Sequence, residues 1–163
     1  MFQILEAEGH AKAGHDEAAL HAIEHALAVC EDTGERWAIA EVLRTKACIL
    51  LSTGRAKSDE IETILLDSLD IARRQQARCW ELRTSCDLSR LWQRQGRNRE
   101  ALRLLESVCA QFKEGLDTED LRNARALVRG LRRELSPKPN DGRTARTIGL
   151  GSQKLRHRAL ITG

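Results

Sequence analysis

Three glycines, Gly14, Gly54 and Gly96, lie 40 and 42 residues apart, and each separates two stretches whose apolar residues recur at helical spacing. A chain punctuated in this way folds back on each glycine as a helical hairpin, and hairpins of similar length follow one another. The stretch from Trp80 to Leu121 shows the unit most fully. Leu82, Cys86, Ser89 and Trp92 form one stripe before Gln95-Gly96-Arg97, and Ala101, Leu105, Val108 and Phe112 form another after it. A single hairpin cannot bury both stripes, so each needs its neighbours.

Taken in order, the first helix runs from Met1 to Ala13. The second carries Ala19, Ile23, Ala26 and Leu27 on one face and stops at Asp32-Thr33-Gly34. Asp32 and Glu35 have the spacing of a capping box for a third helix, expected from about Glu35 to Ser52 with Ala47 among its apolar positions. Ser58 is the expected N-cap of a fourth helix with Ile61, Leu65, Leu69 and Ala72, closed by Arg73-Arg74-Gln75-Gln76. After the Trp80–Phe112 pair, Asp117 or Thr118 caps a last helix through Leu121, Ala124, Leu127, Val128, Leu131 and Leu135. Ala19 and Ala101 each stand five residues past their glycine, with Ile23 and Leu105 four residues further on, so a small and then a large side chain recur at matching positions of the two hairpins. In the middle hairpin Ile61 takes the place of the small residue.

Composition supports helices throughout. Aromatic residues make up 3% of the chain, tyrosine is absent, and both prolines lie beyond residue 135, whereas strands favour aromatic and β-branched residues. No apolar run has the length of a membrane span, and Met1–Leu5 lacks the basic flank and apolar core of a signal peptide, so a cytoplasmic location is expected. The five cysteines, Cys30, Cys48, Cys79, Cys86 and Cys109, include no close CxxC pair and fall within expected helices, which suits reduced thiols. From residue 131 onward eight basic residues face two acidic ones; with the whole chain at +3, residues 1–130 carry −3. Two parts are therefore expected: a helical domain over 1–135 and a basic tail over 136–163, whose Pro, Gly and scattered Arg suit loop or disorder.

The array resembles the tetratricopeptide family in a long-helix form. More narrowly, residues 6–130 resemble the C-terminal helical-repeat region of bacterial STAND-type signalling ATPases, particularly those fused to class III adenylate or guanylate cyclases. The strings that carry the likeness are TGERW at 33–37, IARRQQAR at 71–78, LWQRQGR at 91–97 and FKEGLDTEDL at 112–121. The resemblance implies an all-α, tetratricopeptide-like α-solenoid of three helical hairpins plus a C-terminal capping helix. It also implies a non-catalytic scaffold, the sensor or regulatory arm of a cyclase- or transcription-linked ATPase, binding a protein partner or a neighbouring domain without a cofactor.

Three features bear on function directly. No GxxxxGK[ST] phosphate loop occurs, and Gly149-Leu150-Gly151-Ser152-Gln153-Lys154 has neither its spacing nor its setting. His21-Ala22-Ile23-Glu24-His25 matches the HxxEH pattern in which two histidines one turn apart hold zinc and the glutamate serves as general base. A zinc hydrolase is thus one alternative, against a plain surface histidine pair. A weak nucleic-acid module using the basic tail is another, although the tail has no aromatic residue on which a base could stack. In a scaffold, the first helices of the hairpins build the concave face, and Arg44, Lys46, Arg83, Arg90 and Arg94 are its candidate partner-binding residues. The short first helix, with Phe2, Leu5 and Ile23 expected to be partly exposed, suggests a chain that begins inside an array and self-associates through its N-terminal end. Arg122, Asn123, Arg125 and Arg129 are expected on the outer side of the last helix.

Overall fold

Seven α-helices carry the regular structure among the described residues: α1 (Phe2–Lys12), α2 (Asp16–Thr33), α3 (Ile39–Thr53), α4 (Ser58–Arg74), α5 (Arg78–Arg94), α6 (Asn98–Cys109) and α7 (Glu119–Leu135). A 3-10 turn, Arg36–Ala38, leads into α3, and no strand occurs among the described residues. The structure is a computed structural model that describes residues 2–34, 36–115 and 117–136. The side chain of Phe2, Glu35 of the expected capping box and the basic segment 137–163 lie outside the described residues. The fold is all-α, and none of its described helices is long and apolar enough to cross a membrane.

Among the described residues, each of the six turns between helices contains a residue with left-handed backbone. Gly14, Gly54 and Gly96 supply it within the three hairpins, at φ +77°, +66° and +77°, and Gly34 and Gly115 supply it between hairpins. A Cβ at such a position approaches the neighbouring backbone, which is why glycine ends these helices. The turn from α4 to α5 departs from the rule and places Gln76 at φ +55°.

Packing is sequential. α1 packs on α2, α3 on α4 and α5 on α6; each hairpin meets the next through α2–α3 and α4–α5, and α7 lies against α6 and α5. The odd-numbered helices also touch in series, α1 to α3 to α5 to α7, while no two even-numbered helices approach closely. The odd helices therefore share one face of a helical-repeat-like array, and a cavity lined from all four makes that face concave. Three apolar clusters fill it. The first joins Ile4 and Ala7 to Ala19, Ile23, Ala26, Val42 and Ile49; the second joins Ala47, Ile61, Leu65, Leu69, Leu88 and Leu91; the third joins Leu82, Cys86, Ala101, Leu105, Val108 and the apolar face of α7.

One buried hydroxyl is paired where three helices meet. The buried Ser68 hydroxyl donates to the carbonyl of Ala40 at 2.7 Å, and with its only proton used there it accepts from Thr84, 2.9 Å away. One hydroxyl thereby ties α4 to both α3 and α5. Ser89 donates to the Ala101 carbonyl across the last hairpin at 3.3 Å. The docking of α7 is polar at its rim, where Gln93 and Asn98 both donate to Glu134 and Arg132 pairs with Glu106.

Several expectations need correction. Ile23 is fully buried, because Ile4 and Ala7 of α1 cover it; of the residues expected to be exposed at that end, Leu5 is, at 64%. The helix expected from Glu35 begins at Ile39, after the 3-10 turn. Ser58 is already the first residue of α4, with Lys57 in the capping position and no side-chain cap bond. Thr118 holds the capping position of α7, again without a side-chain bond. Asn123 points toward the concave face, where it lines a cavity, whereas Arg122 and Arg129 are exposed.

Candidate functional site

On α5, positions 80, 83, 87, 90 and 94 fall on one helical stripe, since steps of three and four residues return to the same face. That stripe, Trp80, Arg83, Asp87, Arg90 and Arg94, forms the floor of a trough on the concave side. Two adjoining cavities of about 430 and 300 Å³ make up the trough and share Asp87 and Arg90. Ile4, Leu5 and Glu8 of α1 and Glu41 and Arg44 of α3 wall the larger cavity on one side, and Asp120 and Asn123 of α7 wall it on the other.

The charged side chains form a continuous network across all four odd helices. Arg44 is its centre: Nε and Nη2 each donate to Glu41 at 2.9 Å, Nη1 donates to Asp87 at 2.9 Å, and Glu8 lies 3.6 Å from Nη2. Glu41 also accepts from Arg83 at 3.2 Å, and Arg83 Nε donates to Asp120 at 2.7 Å. Asp87 accepts a second guanidinium, that of Arg90, at 2.8 Å. Burial works against the charge on Arg44, but the bonds to Glu41 and the nearby Asp87 outweigh it and raise its pKa. The Asp120 hydrogen bond raises that of Arg83.

The layering of this network decides what a visitor would meet. Glu41 and Asp87 have side chains only 7% and 20% exposed, while Arg83 and Arg90 above them are 44% and 46% exposed. The carboxylates lie underneath and orient the guanidiniums, and Arg83 Nη2 and Arg90 Nε and Nη2 keep donors that no group uses among the described residues. Arg94, at the far end, is exposed and makes no ion pair among the described residues. At the near end the trough is apolar: Trp80 stacks on Trp37 with ring centres 5.9 Å apart, and Leu5 stands opposite.

Of the five basic residues singled out from sequence, the structure brings Arg44, Arg83, Arg90 and Arg94 to this trough, and Lys46 lines neither cavity. The sequence reading missed the carboxylates that hold them. Their only signal was the i, i+3 spacing of Glu41 with Arg44 and Asp87 with Arg90. The packing positions Ala19, Ile23, Ala26, Ala47, Ile61, Leu65, Ser89, Ala101, Leu105 and Val108 are buried, and Trp92 is half-buried.

The thiol that meets the network is not poised as a nucleophile. The Cys48 thiol donates to Asp87 at 3.3 Å, and burial together with that carboxylate pushes its pKa up to about 12. His21 and His25 are exposed on α2, away from the trough, and no group of three metal-ligating side chains occurs among the described residues. The arrangement is suited to holding an extended segment by donors and an apolar shelf. No family model matches the chain, and no curated protein or solved structure matches it.

Proposed function

We propose that this chain is a non-catalytic helical-repeat scaffold, a tetratricopeptide-like α-solenoid of three hairpins capped by α7, that holds a segment of a protein partner or a neighbouring domain in the trough along α5. The observation that supports it is the layering of charge: buried Glu41 and half-buried Asp87 fix Arg83 and Arg90, which keep donors unused among the described residues. Such pre-oriented donors suit recognition, because little side-chain freedom remains to be lost on binding. Within this reading the chain is the sensor or regulatory arm of a cyclase- or transcription-linked STAND ATPase, on the likeness of residues 33–37, 71–78, 91–97 and 112–121 to those repeats.

A photo-crosslinking side chain tests it in the native cell. Placed at Leu5, which is exposed in the trough, it is expected to capture a polypeptide with a nucleotide-binding or cyclase domain. Placed at Leu66, exposed on α4, it is expected to capture none. Equal capture at both positions, or capture from Leu66 alone, would refute the trough as the docking face.

A further inference from the structure

We infer that the trough selects an acidic, extended segment carrying one large apolar side chain at the end that meets Trp80. This rests on the trough being the docking face and adds the chemistry of what docks. Length comes first. From Trp80 to Arg94 is 14 residues of α5, which at 1.5 Å per residue spans about 21 Å, the reach of about six residues of extended chain.

Spacing fixes the pattern within that length. An extended ligand presents every second side chain to one face, about 7 Å apart. Arg83 and Arg90 lie three and ten residues past Trp80 on α5, about 5 and 15 Å, within reach of acids two and four residues past the apolar one. Arg94 lies four residues further on, about 6 Å, which matches a step of two. The apolar shelf of Trp80, Trp37 and Leu5 begins one turn before Arg83, so the apolar residue precedes the first acid by about two positions.

The sign of the ligand charge follows from exposure rather than from net charge. Glu8, Glu41, Asp87 and Asp120 balance Arg44, Arg83, Arg90 and Arg94, so the trough has little long-range field. Glu41 and Asp87 lie beneath guanidiniums that keep donors unused among the described residues. A carboxylate placed over Arg90 gains charge-assisted hydrogen bonds, and an ammonium there meets only donors. Because attraction acts at short range, recognition depends on where the acids stand and not on how many there are.

The test uses the full chain and a fluorescein-labelled heptapeptide, Leu-Ser-Glu-Ser-Glu-Ser-Glu, whose apolar and acidic side chains share one face when extended, with its Gln and Lys analogues, read by anisotropy. The Glu peptide is expected to bind at least about tenfold more tightly than either analogue, the worth of one charge-assisted hydrogen bond. Arg90→Gln with Arg94→Gln is expected to remove that preference, since Asp87 keeps its Arg44 partner and the fold is spared; Arg129→Gln, on the outer side of α7, is expected to leave it intact. A scrambled peptide with its three Glu adjacent is expected to bind like the Gln analogue. Binding of the Gln or Lys analogue as tight as that of the Glu peptide, or a preference that survives in the Arg90/Arg94 variant, overturns the inference. The crosslink from Leu5 does not depend on peptide charge, so the trough could fail here as an acid-selective site and still stand as the docking face.

Discussion

The guanidinium of Arg97 lies 4.7 Å from the ring centre of Trp92, and both donate to one carboxylate, that of Glu62. Trp92 Nε1 is 2.7 Å from Glu62 Oε1, and Arg97 Nη1 is 2.8 Å from both oxygens. The turn of the last hairpin is thereby fastened to α4 of the hairpin before it, by an acceptor that serves a stacked cation and the ring beneath it.

A pH dependence follows. Burial acts to raise the pKa of Glu62, but the bonds from Trp92 and Arg97 outweigh it and hold the carboxyl below the usual range. A depressed folded-state pKa gives stability that is present above the unfolded value and lost as pH falls through the folded one. Glu62→Gln should cost about 1 kcal/mol in urea unfolding at pH 7, low for a charge-assisted bond because solvent screens the guanidinium. The gap between variant and parent should close toward pH 3; a gap independent of pH would show that the carboxylate charge is not what matters.

The turn at Gln76 offers a stabilising change. A residue with a Cβ in left-handed backbone costs about 1 kcal/mol relative to glycine, and Gln76 sits at φ +55°. Its side chain is exposed and makes no side-chain hydrogen bond among those described. Gln76→Gly should raise stability by about 0.5–1 kcal/mol, less the entropy that glycine adds to the unfolded chain. Gly96→Ala should lower it by about 1 kcal/mol. Paired denaturation curves check both, and equal signs for the two changes would contradict the backbone argument.

Hairpin closure is set by small residues. Ala101 is fully buried, and its carbonyl accepts from Ser89. Ala101→Leu should cost about 1–3 kcal/mol by forcing α5 and α6 apart. An unchanged melting temperature would mean that the helices do not meet there.

Thiol chemistry should separate the cysteines. Burial pushes Cys48 and Cys86 up to about 12, while Cys79 is exposed. At pH 8, iodoacetamide should label one thiol rapidly, and Cys79→Ser should remove that phase. Cys48 and Cys86 should react only as fast as the chain opens. Rapid labelling of Cys48 in the folded chain would show that its thiol is neither shielded nor held protonated by Asp87.

The sequence made the hairpins legible because glycine has few reasons to recur at such intervals, and Gly14, Gly54 and Gly96 all prove to be left-handed. It hid the turn at Gln76, where a residue without that preference is held by its surroundings. It hid the burial of Ile23, since apolar periodicity on α2 does not say that α1 is long enough to cover it. The 3-10 turn before α3 was equally invisible, yet it sets Trp37 against Trp80. Most of the trough was unreadable for one reason: Glu41 meets Arg83, and Arg83 meets Asp120, across 42 and 37 residues. A sequence shows that arginines line one helix face, but not which acids lie beneath them.

Because the helices touch only near neighbours in the row, the length of the concave surface is a count of hairpins. Copying one unit of 40 or so residues would lengthen that surface by one odd helix and leave every existing helix with the same kind of partner. The junction that must be matched is small: Ser68, bound to Ala40 on one side and Thr84 on the other, is the sort of contact a copied unit would have to reproduce. Such a molecule is adjustable in whole steps, and reach can change by duplication while the chemistry on each helix changes by single residues.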